Sequence, residues 1–246
     1  MPSVSERDLI DYIEKNIQDF HKRRLESLTE LKLDTILKRK NPYLFKAKNV
    51  DAPQLVRLLL EAHLSSQEEG IFGGFLEGLA IFICARVYGG RKSSSEGIDL
   101  EFTKDGVLYL VSIKSGPNWG NSRQVAKMRD DFRRARKILG TNTSPGQIAA
   151  INGCCYGRQS VENKGDYLKL CGQRFWSLIS GNDELYTEII EPLGHKAKQR
   201  NEEFQHEYSG VLTLFTKSFI DEFCDPAGQI LWVKVVRLNS SADGRY

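Results

Sequence analysis

Residues 97–119 read GIDLEFTKDGVLYLVSIKSGPNW, and two short runs within them alternate between apolar and polar residues. IDLEF (98–102) and VLYLVSIK (107–114) follow the two-residue period of β-strands, in which successive side chains point to opposite faces. The TKDG stretch between them contains the Asp-Gly pair that is favoured in tight hairpin turns. The sequence therefore predicts an antiparallel β-hairpin.

The predicted hairpin carries an acid at the start of its first strand and a lysine at the end of its second. Asp99 shares a strand face with Glu101, and Ser112 shares one with Lys114. If the turn closes as predicted, Asp99 and Lys114 converge at one end of the sheet. A carboxylate there can hold Mg²⁺, while a lysine can orient the attacking water and stabilise developing charge. The alternative is a surface salt bridge across the hairpin, which contributes only ~0–1 kcal/mol.

Three features near this pair favour a functional site over a surface salt bridge. Lys114 ends the apolar run VLYLVSI, where a lysine without a partner would be costly to bury. The SGPNWGNS stretch that follows is a glycine-rich polar loop leading into a helix, a backbone suited to close approach to a phosphate. Upstream, an apolar helical stretch contains the acid Glu77.

Helical periodicity dominates the sequence outside the hairpin. The N-terminal third has the period of a helix, and a second helix fits residues 52–66. A third is predicted to follow the glycines of EEGIFGGF and to include LEGLAIFICARVYGG, which is apolar nearly all round. After the hairpin, residues 122–139 predict a long amphipathic helix.

Further strands are predicted downstream of that helix. The apolar run 146–157 has the length of a central strand, and GDYLKLCGQRFWSLISG predicts a strand, a turn at Gly172 and a short helix. The resulting fold class is α/β, in which a mixed sheet of about 4–5 strands is flanked by helices. A single domain over residues 1–246 is predicted, with a helical N-terminal extension (1–50), a catalytic core (51–180) and a helical C-terminal part (181–246).

Composition limits the classes of function. The 35 basic and 32 acidic residues give a net charge of +3, so nucleic-acid binding cannot be argued from the total charge. The clusters KMRDDFRRARK (127–137) and KAKQR (196–200) could contact phosphates, although such runs are usually solvated helix faces. Five scattered cysteines without paired C-x-x-C motifs predict free thiols and no zinc site.

Other features predict a soluble cytoplasmic protein. The start, MPSVSERDLIDYIEKN, is charged and amphipathic, and no run reaches the roughly 18 apolar residues of a membrane span. The four histidines lie in charged surroundings without a metal-binding or catalytic motif. No phosphate-binding P-loop occurs, so we expect no nucleotide cofactor.

The order of acid and lysine is similar to a known nuclease signature. Asp99 followed by Ser112-Ile113-Lys114 resembles the core of the PD-(D/E)XK nuclease superfamily. A wider set of motifs resembles the PmeII-like group of type II restriction endonucleases in that superfamily, over roughly residues 41–195: NPYLFKAKN, LEAHLSSQEEGIFGGFLEGLAI, GIDLEF, VSIKSGPNWGNSRQ, GCCYGR and CGQRFWSLISG.

This resemblance implies a restriction-endonuclease-like core for the predicted α/β fold. It also implies sequence-specific, Mg²⁺-dependent hydrolysis of double-stranded DNA that leaves 5′-phosphates. It makes Asp99 a metal ligand and Lys114 the residue that positions and activates water. It also implies a homodimer, because a two-fold protein matches a palindromic site.

The sequence departs from the superfamily pattern at one position. That pattern has Glu or Asp two residues before the lysine, where this chain has Ser112, and a hydroxyl is a poor substitute for a carboxylate as a Mg²⁺ ligand. We therefore expect the second acid to come from elsewhere. Glu77 is the first candidate, because restriction enzymes of this fold often present a glutamate from the preceding helix, and Glu101 is the second. A capping or ion-paired role is the alternative for Glu77.

The resemblance also indicates which segments would face DNA. The loop and helix start after Lys114 offer side chains that bind phosphates or base edges: Asn118, Trp119, Asn121, Ser122, Arg123 and Gln124. A capped helix start, with Asn121 or Ser122 as N-cap and Trp119 packed against the core, is compatible with that role. Arg91, Lys92 and the serines Ser93 to Ser95 could clamp a phosphate, or could belong to a plain flexible loop.

Two other functions remain open at the level of sequence. One is a different PD-(D/E)XK nuclease, such as a repair or junction-resolving enzyme. The other is a DNA-binding protein that has lost catalysis, which the serine at position 112 would explain.

Overall fold

The computed structural model describes residues 4–139, 148–158 and 161–242. Along these residues the elements follow one another as α1 (Glu6–Thr29), α2 (Leu33–Arg39), α3 (Pro42–Ala47), α4 (Ala52–Tyr88), β1 (Leu100–Lys104), β2 (Val107–Lys114), α5 (Ser122–Leu139), β3 (Ile148–Cys154), β4 (Leu168–Cys171), α6 (Gln173–Ser180), α7 (Leu185–Glu188), α8 (Ile190–Leu193), α9 (Ala197–Phe223) and α10 (Trp232–Ser240).

The predicted hairpin is confirmed. Strands β1 and β2 pair antiparallel, with Leu100 opposite Val111 and Lys104 opposite Val107. Asp105 and Gly106 close the turn with φ angles of 51° and 76°. Two successive positive φ angles are typical of a two-residue turn whose twist matches the strands, which explains the Asp-Gly pair.

The hairpin forms one side of a mixed four-stranded sheet with the order β1-β2-β3-β4. Strand β3 pairs parallel to β2, and β4 pairs parallel to β3. The helix predicted over residues 122–139 is confirmed as α5, which connects the parallel strands β2 and β3. β3 is the predicted central strand, although residues 146 and 147 of that prediction lie outside the described part. The carboxyl ends of β2, β3 and β4 therefore meet at the same edge of the sheet.

The chain divides into two compact units, and the first contains the whole sheet. This unit comprises residues 1–18 and 72–195. Alternation along the strands covers both faces of the sheet: Val111 and Ile151 pack with residues of α4 and α6, whereas Leu110 and Ala150 pack with residues of α5. The α/β class with a mixed sheet flanked by helices is thus confirmed.

The second unit is helical and comprises residues 19–71 and 196–246. Its larger apolar cluster draws on α2, α3, α4, α9 and α10, with Phe219 and Phe223 of α9 fully buried. The Asn239 side chain donates to the Leu37 and Lys40 carbonyls at 2.8 and 3.0 Å, which ties α10 to the end of α2. The expectation of one nuclease domain over residues 1–246 stays a prediction.

Helix α4 corrects the expectation of two separate helices before the hairpin. It continues without interruption through the glycine-rich stretch. A Cβ atom on Gly73 would lie 2.8 Å from Ser115 Oγ, so this glycine allows the helix to approach the loop after β2 closely. Tertiary packing offsets the low intrinsic helix propensity of glycine here.

By length and composition, α4 could also cross a membrane, which the sequence pattern did not predict. It has 37 residues, and its most apolar window has a mean hydropathy of 1.7. However, Leu79, Ala80 and Ile83 are fully buried in the core cluster of the first unit. The core helix of a soluble protein meets the same criteria, so we interpret α4 as a core helix.

One glycine gives a direct test of the core beside the site. A Cβ atom on Gly153 of β3 would lie 2.3 Å from the ring of the buried Phe175. We expect Gly153→Ala to lower the free energy of unfolding by about 1–3 kcal/mol, because overpacking forces a buried ring to move. Chemical denaturation followed by circular dichroism would measure the change.

Gly74→Ala is the matched control, since a Cβ atom there meets nothing within 4 Å. This helical substitution should raise the free energy of unfolding by about 0.5–1 kcal/mol. Equal effects of the two substitutions would contradict the packing described for Gly153.

Candidate active site

The structure brings Asp99 and Lys114 together at the edge where the parallel strands end. Asp99 directly precedes β1, and its N–H donates to the Val111 carbonyl at 2.9 Å, which extends the hairpin ladder. Its side chain lies over the end of β2, where Oδ2 accepts from the Ile113 N–H at 2.6 Å. The same oxygen lies 3.7 Å from Nζ of Lys114.

The pair is partly shielded from water. The Asp99 and Lys114 side chains are 23% and 29% exposed, so each keeps a route to solvent while most of its surface is covered. Solvent screens such a pair less than the exposed surface salt bridge considered as the alternative. The pair is therefore accessible to a ligand and has limited freedom to move.

Ser112 lies beneath this pair and has little contact with solvent. Its residue surface is 2% exposed, and its hydroxyl lies 3.5 Å from Asp99 Oδ2, at the limit of a hydrogen bond. The serine thus supports the Asp99 carboxylate and supplies no second carboxylate at the position where the nuclease signature has one.

Glu101, one of the two candidate second acids, is held by neighbouring donors. Arg91 approaches Oε1 through both Nε and Nη2 at 2.7 Å, and Ser93 Oγ donates to Oε2 at 2.9 Å. The backbones of Arg91 and Glu101 also exchange two hydrogen bonds. The Glu101 side chain is only 7% exposed. These contacts give it a structural task, since it fixes the segment that precedes β1.

Glu77, the other candidate acid, lies on α4 near the end of β2. Gly73, which approaches Ser115, lies four residues before Glu77. The two residues are therefore on the same face of the helix. Burial raises the pKa of the Cys155 thiol, and Cys154 and the Glu77 carboxylate raise it further, so this carboxylate is close to Cys155. The Cys155 N–H in turn donates to the Lys114 carbonyl at 2.9 Å. The partner of Glu77 is Lys92, with Nζ at 3.4 Å.

The loop after β2 turns an aromatic ring back over Lys114. Nζ of Lys114 lies 5.3 Å from the centre of the Trp119 ring, within the range of a cation–π interaction. The Trp119 indole N–H donates to Oδ1 of Asn152 at 3.1 Å. Asn152 is 1% exposed, and its amide also donates to the Ser112 carbonyl at 3.3 Å.

Asn152 was not among the residues predicted from the sequence. A signal was present, because it is a polar residue in the apolar run AAINGCC of a central strand. A buried amide must find hydrogen-bond partners, so an asparagine at such a position indicates a specific contact.

The start of α5 is capped by two residues that were predicted to bind DNA. The Gln124 N–H donates to Asn121 Oδ1, and the Asn121 N–H donates to Gln124 Oε1, both at 3.0 Å. This reciprocal arrangement confirms Asn121 as the N-cap. Asn118, Ser122 and Arg123 are exposed around it. DNA contact by this loop stays a prediction.

Asp131 of α5 is a second residue that the sequence did not reveal. It is 4% exposed, and Lys127 and Arg134 bind its carboxylate. Gly97, two residues before Asp99, has a φ angle of 77°, and a Cβ atom there would overlap the Asp131 carboxylate. Asp131 therefore packs closely against the chain segment just before Asp99. The sequence KMRDDFRRARK had predicted only a solvated or phosphate-facing helix face.

The donor atoms at this edge fit a hard metal ion better than zinc. Within the described ranges, no group of three or more His, Cys, Asp or Glu side chains could hold a metal ion. Mg²⁺ keeps several waters and binds through one or two carboxylates, whereas a structural zinc site needs four protein ligands. The contacts of Asp99 with Ile113, Ser112 and Lys114 all use Oδ2, so they do not engage Oδ1.

The thiol of Cys154 is poorly suited to a covalent reaction. All five cysteines are free, as predicted, and Cys154 lies opposite Cys171 in the β3–β4 pair. Burial raises the pKa of Cys154 to about 12, with a further increase from Cys171. Since the thiolate is the reactive form of cysteine, this thiol is inert near neutral pH.

Comparison with known proteins supports the resemblance to restriction enzymes. The family described as type II restriction endonuclease EcoO109I matches residues 7–201 of the chain, which include every candidate site residue. No curated protein matches the chain. The restriction-endonuclease resemblance is thus confirmed, while the PmeII-like group stays a prediction.

The contrast between the two glutamates can be tested by stability. We expect Glu101→Gln to lower the free energy of unfolding by about 1–3 kcal/mol, because it weakens the bonds from Arg91 and Ser93 to a buried acid. Glu77→Gln should change it by less than about 1 kcal/mol, since its lysine partner is largely exposed. Thermal denaturation without metal measures both, and a larger effect of Glu77→Gln would contradict this division between a structural and an available acid.

Proposed function

Because the chain belongs to the family of type II restriction endonuclease EcoO109I, we propose that it hydrolyses double-stranded DNA at a specific sequence with Mg²⁺ as cofactor. The observation that carries the proposal is the Asp99–Lys114 pair, 3.7 Å apart at the open edge of the mixed sheet. An acid and a lysine so placed suit hydrolysis of a phosphodiester, and the family match makes DNA the substrate.

Each residue has a distinct task in this reaction. Asp99 and Glu77 would hold Mg²⁺, which supplies positive charge against the scissile phosphate. Lys114 would orient the attacking water and stabilise the negative charge that develops on phosphate oxygens. By the resemblance to PD-(D/E)XK nucleases, the products carry 5′-phosphates and 3′-hydroxyls.

Glu77 is a better candidate than Glu101 for the second acid. Both Glu101 oxygens already accept hydrogen bonds from within the protein, whereas Glu77 has a lysine partner that is 72% exposed. A DNA phosphate could draw Lys92 away from Glu77 and so make this carboxylate available. Ser112 would take no direct part in metal binding.

DNA would approach the loop that follows β2. Asn118, Ser122 and Arg123 are exposed there, and Arg123 combines positive charge with donors suited to phosphates or guanine. Asn121 and Gln124 cap α5, so they would contact DNA only through the side-chain atoms that the cap does not use. Lys92 and Ser93 would add contacts from the segment before β1.

A cytoplasmic homodimer is part of the proposal. Two copies related by a two-fold axis would place one site on each strand of a palindromic sequence. Light scattering coupled to size-exclusion chromatography would give the mass of the assembly.

Digestion of a long, fully sequenced, unmethylated phage DNA tests the function directly. We expect sharp fragments with Mg²⁺ and none with EDTA. Lys114→Ala should cut at least about 100-fold more slowly, which is the scale of loss for a positioned proton-transfer or charge-stabilising group. Asp99→Asn should be similarly impaired.

Each alternative function has its own outcome in this assay. Nicking that depends on DNA structure would favour a repair or junction-resolving nuclease. Binding in a gel shift without any cleavage would favour a DNA-binding protein that has lost catalysis, the function that Ser112 suggests. Cleavage at the parental rate by both variants would refute the assignment of the active site.

The identity of the second acid can be tested by metal binding. In calorimetric titrations with Mn²⁺ and cognate DNA, we expect Glu77→Gln to weaken binding by about 10–100-fold, the scale of losing a ligand or its support. Ser112→Ala should bind Mn²⁺ within about threefold of the parent, because a hydroxyl is a poor ligand for hard cations. The reverse ranking would assign the ligand role to Ser112.

A further inference from the structure

The surroundings of Lys114 contain a hydrogen-bonded chain that the proposed reaction does not use. It runs from the Ser112 carbonyl to the Asn152 amide at 3.3 Å, and from Asn152 Oδ1 to the Trp119 indole N–H at 3.1 Å. The Trp119 ring then lies 5.3 Å from Nζ of Lys114. The chain therefore begins at Ser112 of β2 and ends at Lys114 of the same strand.

We propose that Asn152 and Trp119 are positioning residues for Lys114. In this role, buried Asn152 fixes the indole ring of Trp119, and the face of that ring holds the lysine ammonium beside Asp99. The catalytic importance of this role rests on the proposed hydrolysis, but the geometry of the three side chains can be tested without DNA.

The position of Asn152 supports this role. Its side chain cannot shift easily, because it lies opposite Ser112 in the central β2–β3 pair and is 1% exposed. Its amide group uses both ends, as donor to Ser112 and acceptor from Trp119. A rigid strand thus supplies the anchor for a ring on a loop, and loops alone hold side chains less firmly.

The position of Trp119 favours a role in holding the Lys114 ammonium over direct contact with DNA bases. The ring packs against the apolar cluster that includes Met128 and Phe132 of α5, and its only polar atom is already bonded to Asn152. A ring so placed presents its face to a cation, where the electrostatic attraction is strongest. Asp99 and Trp119 together limit the movement of an otherwise flexible ammonium group.

The first test reads the lysine itself by NMR. In protein labelled at lysine Cε, the Lys114 signal, assigned by its loss in Lys114→Arg, should be shifted upfield by the Trp119 ring. Asn152→Leu and Trp119→Phe should each move that signal toward the unshifted lysines. Residue 119 lies on the loop after β2, so Trp119→Phe tests the proposal even if Asn152→Leu folds poorly.

Trp176→Phe is the matched control. Its indole N–H donates to the Cys155 carbonyl at 2.8 Å, so the substitution removes an equivalent buried hydrogen bond. The Lys114 signal should remain shifted in this variant. An unshifted parent signal, or no response to Asn152→Leu and Trp119→Phe, would overturn the proposal.

The second test separates positioning from DNA binding. We expect kcat to fall about 3- to 10-fold in each single variant, the scale of one lost hydrogen bond, with KM nearly unchanged. The double variant should be no slower than the slower of the two single variants, because both substitutions act through one chain. A rise in KM with constant kcat would assign Trp119 to DNA contact and refute the positioning role.

The two proposals fail in different ways. If the parent shows the shifted Lys114 signal and its response to both variants but never cuts DNA, the positioning geometry is supported and the proposed hydrolysis is not.

Discussion

The hydrogen bond from the Ile113 N–H to the Asp99 carboxylate, 2.6 Å long, is the contact on which the site depends. It joins the residue before β1 to the penultimate residue of β2, so the acid cannot turn away from the lysine that follows. A bond from an amide to an ionised carboxylate is stronger than one between neutral groups. Because Ile113 also packs into the core of the first unit, the acid is bonded to a buried residue of a central strand.

The elements that carry the site could be predicted because their signals are local. The two-residue period, the Asp-Gly turn and the amphipathic stripe of α5 each depend on near neighbours in sequence, and each is confirmed. The break predicted between two helices was wrong because Gly73 serves a tertiary contact with Ser115, which no local propensity reports. The bonds around Glu101 were hidden for the same reason, since Arg91 meets it only after the chain has turned.

The site residues show a second limit of sequence reasoning. A sequence pattern can place Asp99 and Glu101 on one strand face. It cannot show that donors bind both oxygens of Glu101 but contact Asp99 through Oδ2. Asn152 and Asp131 are similar cases, because the role of a buried polar residue depends on its hydrogen-bond or ion-pair partner, which the sequence does not show. The family was easier to predict than the contacts of each acid, since the resemblance depended on the order of motifs along the chain.

The order of pairing in the sheet has a consequence for assembly. The hairpin joins residues adjacent in sequence, whereas the bond between Asn152 and Ser112 spans 40 residues. Local contacts close at a lower entropic cost than distant ones, so hairpin formation should precede the docking of β3. The acid and the lysine would then meet early, while the lysine gains its fixed orientation only when the parallel strand is added.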